Sequence, residues 1–133
     1  MDRAAIEELF AQWETGDFGS GVALYAEDIR FSATQPEGQA QAHGLAELGR
    51  FMQGFLAELE RYRVELHELE DLGGGRYLGT ASQHMIGKAS GMELSAPLYV
   101  AIAVRDGKIV QLEYHAHSRG DALTALGRTG SDA

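Results

Sequence analysis

The chain predicts an α+β domain, on three observations. Apolar residues recur at helical spacing through the N-terminal half. From Tyr62 onward the texture changes to strand-like segments of alternating character. Gly73-Gly74-Gly75, Ser90-Gly91 and Asp106-Gly107 punctuate those segments with hairpin turn signals. Helices first and a meander of strands afterwards is the order of an α+β domain.

The 133-residue length makes this one domain, large enough to bury an ordinary core. At 44% hydrophobic and 23% charged it has the balance of a soluble globular protein. It contains no cysteine, which excludes disulfides, thiolate catalysis and cysteine-held zinc or iron–sulfur centres. A net charge of −9 argues against nucleic acid and anionic membrane as partners, since both need a basic footprint. The longest apolar run, residues 96–104, is too short to cross a bilayer. No apolar signal segment follows Met1, so a cytoplasmic location is expected.

Along the chain, Ile6, Leu9, Phe10 and Trp13 fall at i, i+3, i+4 and i+7 and predict a helix over about residues 2–14. Gly16 ends it, and Asp17 caps a second, shorter helix through about Ala26. Phe18, Val22 and Tyr25 form that helix's apolar edge, while Gly19 and Gly21 weaken it. Residues 29–33 alternate as a short strand, and 34–44, with Pro36, Gly38 and Gly44, read as a loop with at most a short strand. A third helix over about residues 45–59 buries Leu45, Leu48, Met52, Phe55, Leu56 and Leu59. Gly49 and Gly54 cost that helix roughly 1 kcal/mol each relative to alanine, and are read as marking close packing against the sheet.

Four long strands then follow, over about 62–72, 75–87, 92–105 and 108–117, as an antiparallel meander. A short last helix from Arg119 to Leu126 is closed by Gly127. The domain thus spans residues 1–127, with 128–133 expected as a flexible tail.

A two-residue turn at Asp106-Gly107 sets the expected register of the last hairpin. Arg105 then pairs with Lys108, Ala103 with Val110, Ala101 with Leu112, Tyr99 with Tyr114 and Pro97 with Ala116. An even-length turn at Ser90-Gly91 adds His84 to the same face. Polar aromatics among small residues suit a concave ligand cavity; a plain core with tyrosine hydroxyls at its rim is the alternative. The other face sets Leu98, Val100 and Ile102 beside Glu113, His115 and His117. Its apolar stripe is expected to be buried in a homodimer.

Trp13-Glu14-Thr15-Gly16-Asp17, Leu24-Tyr25-Ala26-Glu27-Asp28, Ala42-His43-Gly44 and Val104-Arg105-Asp106-Gly107-Lys108-Ile109-Val110, in this order, resemble the SnoaL-like branch of the nuclear transport factor two-like superfamily. The similarity covers about residues 3–127. It implies a cone-shaped, curved antiparallel sheet wrapped around three N-terminal helices, with a pocket between them, usually in a dimer. It also implies a range of roles, from polyketide cyclase and ketosteroid isomerase to epoxide hydrolase and dehydratase, so the fold leaves the reaction open.

Overlaid on ketosteroid isomerase, the oxyanion-hole tyrosine falls at Leu9, the general base at Ala33 and the protonated acid at about Ala101. None of these can do that chemistry, which argues against isomerisation by that triad. The resemblance puts Trp13, Tyr25, Met52, Tyr99, Leu112 and Tyr114 on the cavity wall, and Phe55 and Ala101 are expected to line the ligand site with them. SnoaL-like cyclases carry a tyrosine and then an acid where this chain has His115 and His117, and a bulge would swing both inward.

The expected acid–base set is therefore His84 with Tyr99 and Tyr114, and His115 and His117 as the second choice. Histidine titrates near neutrality and a phenol can polarise a carbonyl. His115-x-His117 with Glu113 is a weak metal signal, and no metal is expected. His43, His67 and Asp28 read as structural or bland. No phosphate loop, serine elbow or dinucleotide fingerprint is present, so no cofactor is expected. The partner expected is a small apolar or aromatic molecule. The enzyme reading stands beside a non-catalytic binding or dimerisation module of the same fold.

Overall fold

The computed structural model describes residues 1–35 and 38–131. Helix α1, Arg3–Glu14, begins where Asp2 accepts a hydrogen bond from the Ala5 amide at 3.0 Å. Its buried stripe is Ile6, Leu9, Phe10 and Trp13, as the spacing requires. Asp17 caps the next segment by accepting from the Gly19 and Ser20 amides at 3.1 and 3.0 Å.

The expected second helix is a 3-10 helix confined to Ser20–Leu24. From Tyr25 the chain is already strand β1, Tyr25–Gln35, because pairing with the last strand wins over a glycine-weakened helix. The segment expected as a loop contains strand β2, Gly38–His43, paired antiparallel to β1 from Arg30↔His43 to Gln35↔Gly38. Helix α2 spans Leu45–Ala57. Gly49 and Gly54 do not mark close packing: a Cβ at either would meet no atom within 4 Å.

The meander is β3, Leu59–Gly73, β4, Arg76–Gly87, β5, Glu93–Arg105, and β6, Lys108–His115. With β1 and β2 it forms a six-stranded sheet in the order β2-β1-β6-β5-β4-β3. Every neighbouring pair is antiparallel except β1 and β6, which run parallel, so the sheet is mixed. Helix α3, Arg119–Ser131, passes through Gly127 instead of stopping there. Residues 132 and 133 of the expected tail lie outside the described residues.

The last hairpin departs from the expected register by one residue. Asp106 and Gly107 both take positive φ, 53° and 76°, as the tight turn demands, and Arg105 pairs with Lys108. Val104 then pairs with Ile109, but Ala103 pairs with Gln111, so Val110 is an extra residue. Beyond that bulge Tyr99 pairs with His115 and Val100 with Tyr114. A slip of one residue reverses every later side chain relative to its partner strand.

The two faces are thereby reassigned. Leu98, Val100 and Ile102, expected to seek a dimer partner, lie in the main core with Tyr114, Leu112 and the α1 stripe. The apolar ground for a homodimer through that stripe is gone. The opposite face carries Leu78, Ala101 and Ala103 under Ala122 and Leu126 of α3, with Tyr99 packed beside them. Three helices and a curved mixed sheet make the α+β cone.

Candidate functional site

The concave face of the sheet, α2 and the segment after α1 enclose two apolar cavities of about 480 and 210 Å³. Both are lined by Phe31, Met52 and Tyr114. The larger adds Phe18, Tyr25, Leu48, Gly49 and Leu112, and the smaller Phe55, Tyr62, Gln83 and Leu98. Gly49 leaves its part of the wall without a side chain.

Aromatic side chains border both cavities as a closed belt. Trp13 meets Tyr114 edge-on at 5.6 Å, Tyr114 meets Phe31 at 5.6 Å, and Phe31 meets Phe51 at 5.3 Å. Phe51 stacks on Phe55 at 6.2 Å, Phe55 meets Tyr62 edge-on at 4.9 Å, and Tyr62 meets Phe18 at 5.4 Å. Phe18 then stacks on Trp13 at 6.0 Å and closes the circuit. Edge-to-face and offset contacts of this kind add about 0.5–1.5 kcal/mol each beyond area burial. The belt is thus a stiff wall.

Three phenols enter this apolar space, and their surroundings differ. Tyr62 donates to Gln83 Oε1 at 2.9 Å. Tyr25 is hydrogen-bonded to Trp13, whose indole N–H is the donor. The Tyr114 hydroxyl makes no hydrogen bond to protein among the described residues. Burial pushes all three phenols above the usual tyrosine value, and Tyr114 is raised further by its neighbours Tyr25 and Tyr62. They are donors at any physiological pH. Among the described cavity-lining residues the one carboxylate is Asp17, already held by Gly19 and Ser20.

Of the expected wall, Tyr25, Met52, Phe55, Leu112 and Tyr114 line the cavities, and Trp13 lies directly behind Tyr114. Tyr99 and Ala101 do not: they sit on the opposite face of the sheet, against α3. His84 shares that opposite face, as its pairing with Ser95 dictates. Its Nδ1 is 2.7 Å from Ser95 Oγ and its Nε2 is 3.0 Å from Glu65 Oε1. The bond from His84 holds the Glu65 carboxyl below its usual range. The acid–base set of His84, Tyr99 and Tyr114 is therefore not assembled, because the sheet separates Tyr114 from the other two.

His115 also faces away from the cone, bonded through Nε2 to Glu113 Oε1 at 2.9 Å. His117 lies past the end of β6 and is exposed. The bulge falls at Val110, so it does not turn these histidines inward. Among the described residues no group of three or more His, Cys, Asp or Glu is placed to hold a metal. No helix there is long and apolar enough to cross a membrane.

Sequence reasoning missed Phe31, Tyr62 and Gln83. Phe31 was legible, since Ile29, Phe31 and Ala33 alternate onto one face of β1. Tyr62 and Gln83 were not, because both depend on the pairing of β3 with β4.

The fold is shared with solved structures of low sequence identity. An NTF2-like protein of unknown function from Burkholderia pseudomallei K96243 superposes with a TM-score of 0.75 at 16% identity, over 91% of this chain and 93% of that one. TerC, crystallised with polyporic acid, gives 0.72 at 17%, over 92% and 95%. A candidate SnoaL-like polyketide cyclase from Jannaschia sp. CCS1 gives 0.70 at 13%, over 92% and 86%. No curated protein matches the chain in sequence. The SnoaL-like domain model matches residues 6–112, and on that match the chain belongs to the SnoaL-like domain family.

Proposed function

We propose that the cone binds a small, largely apolar, aromatic molecule of polyketide-like character, without a cofactor. The observation that carries this reading is the aromatic belt around cavities of about 480 and 210 Å³, with the Tyr114 hydroxyl as its unbonded donor. Small-molecule sites of roughly 300–1,000 Å³ are built this way, from apolar walls and a few placed polar groups. A planar ligand would stack within the belt and present a carbonyl or ether oxygen to Tyr114. The similarly folded TerC was co-crystallised with a small organic molecule, polyporic acid.

Binding without catalysis is favoured over the enzyme reading. Proton abstraction needs a base within hydrogen-bond reach of the substrate. The described cavity walls offer phenols, which stay protonated at neutral pH, and the Asp17 carboxylate, whose Oδ1 is already taken by the Gly19 and Ser20 amides. An isomerase, cyclase or hydrolase would have to work chiefly by hydrogen-bond donors, the phenols and the Gln83 amide.

Trp13, the single tryptophan, stands edge-on to Tyr114 and reports on the cavity. Titration with 2-hydroxy-1,4-naphthoquinone or 1,8-dihydroxyanthraquinone is expected to quench its fluorescence saturably. Gly49→Leu, whose Cβ would meet no atom within 4 Å, is expected to leave the fold intact and weaken quenching at least about tenfold. Absence of saturable quenching, or quenching untouched by Gly49→Leu, would overturn the reading.

A further inference from the structure

We propose that the opposite face of the sheet carries a second, polar binding site, for a small neutral polyhydroxylated molecule of the monosaccharide or cyclitol class, centred on His115 and Glu113. A groove of about 860 Å³ lies there between β2, β1 and β6 and the side of α3. Its polar side chains stand on the face of the sheet away from the cone, and the groove and the cone cavities share Phe31 of β1 as a lining residue.

Buried polarity is concentrated in this one place. Ser32, Gln111 and His115 are the buried polar residues among the described residues, and all line the groove. Each is engaged with its neighbours. Gln111 donates to Glu113 Oε2 at 2.6 Å and to the Ala125 carbonyl of α3 at 3.3 Å. His115 Nε2 lies 2.9 Å from Glu113 Oε1, and Gln39 donates to Ser32 Oγ at 3.1 Å. Ser32 is bonded to Glu113 as well. A helix covers a sheet more cheaply over apolar side chains, as α3 itself does over Leu78, Ala101 and Ala103. A polar network tied together through Glu113 in that position, with one His115 ring nitrogen left over, is preorganisation for a ligand.

The network also limits the ligand class. With the Nε2 proton given to Glu113, Nδ1 is the His115 ring atom left for a ligand, and it has no protein partner among the described residues. Gln41 lies beside Ser32 across the strand pair, and Ser32 beside Glu113, so amide and hydroxyl groups stand side by side. Such groups donate and accept at once, as ligand hydroxyls do. Among the described residues an anion would meet Glu47, Glu113 and Asp121 against Arg30 on the groove wall, within a chain of net charge −9. A cation would find Glu113 already ringed by donors. Neutral hydroxyls fit both constraints.

Saturation-transfer NMR with D-glucose, D-galactose, D-mannose and myo-inositol tests this directly. At least one is expected to receive saturation from the wild-type protein at about millimolar concentration. Gln41→Ala, at an exposed position that leaves the fold untouched, and His115→Ala are each expected to weaken that binding about fivefold or more. Naphthoquinone quenching of Trp13 should stay as in wild type, which separates this site from the cone. No transfer to any of the four, transfer unchanged in both variants, or transfer to citrate alone would overturn the proposal. Sedimentation showing a dimer that Gln41→Arg dissociates would overturn it too, by assigning the groove to a second copy.

Discussion

Tyr99 and Tyr114 lie on opposite faces of the sheet, although a two-residue turn joins their strands. Val110 is the cause: it adds one residue to β6 and leaves Tyr99 opposite His115. Tyr114 is consequently enclosed by the aromatic belt, while Tyr99 packs against α3.

The two phenols should therefore respond differently to the same change. Tyr114→Phe removes the donor offered to a cavity ligand and is expected to weaken quinone binding about 5- to 10-fold. Its effect on stability should be small, within about 1 kcal/mol, since the hydroxyl has no protein partner to lose. Tyr99→Phe is expected to leave binding unchanged. Equal losses in both variants, measured by Trp13 titration, would contradict the assigned faces.

His84→Ala makes a second test of the same geometry. His84 bonds Ser95 and Glu65 on the face away from the cone. Its removal should leave quinone affinity within about twofold of wild type, because no atom of the cavity wall moves. A loss as large as that of Tyr114→Phe would restore His84 to the ligand site.

Glu113 is expected to show itself in the pH dependence of stability. Burial would raise its carboxyl, but bonds from His115, Gln111 and Ser32 outweigh burial and hold it below the usual 4.5. A lowered folded-state value stabilises the protein above 4.5, and that contribution is lost as pH falls through the folded value. Glu113→Gln should thus cost about 1–3 kcal/mol at pH 7, and progressively less in acid. Urea denaturation of both proteins at about pH 7 and about pH 3 gives the difference; a penalty that grows in acid would refute the assignment.

Gly79 tests how tightly α1 sits on the sheet. A Cβ there would come within 2.7 Å of Phe10 Cζ and 3.3 Å of Leu66 Cδ1. Phe10 is only 1% exposed and has no room to retreat. Gly79→Ala is expected to destabilise by about 1–3 kcal/mol through overpacking, read as a lower urea midpoint. An unchanged midpoint would mean that α1 yields.

Much of the fold was legible because local patterns agreed with it. The α1 stripe, the Asp17 cap and the glycine-marked turns of the meander each depend on residues close together in sequence. The elements that were misread depend on distant partners. Residues 25–28 became strand because Tyr25 pairs with Ile109, and β2 formed because β1 offered it an edge. The candidate site divided along the same line. Tyr25, Met52, Leu112 and Tyr114 reached the cavity, while Tyr99, Ala101 and His84 did not.

The sequence by itself determined the α+β class, the order of elements, the absence of cysteine chemistry and the family. Those follow from composition, periodicity and motif order, which involve no long-range geometry. Only the tertiary structure decided which residues share a face. Strand side chains alternate with a period of two, so a single unpaired residue, Val110, reverses everything beyond it. A bulge is a small local event whose preference is settled by packing on both sides of the sheet. Here the cone draws in Leu112 and Tyr114, while Gln111 reaches Ala125 of α3 and His115 reaches Glu113.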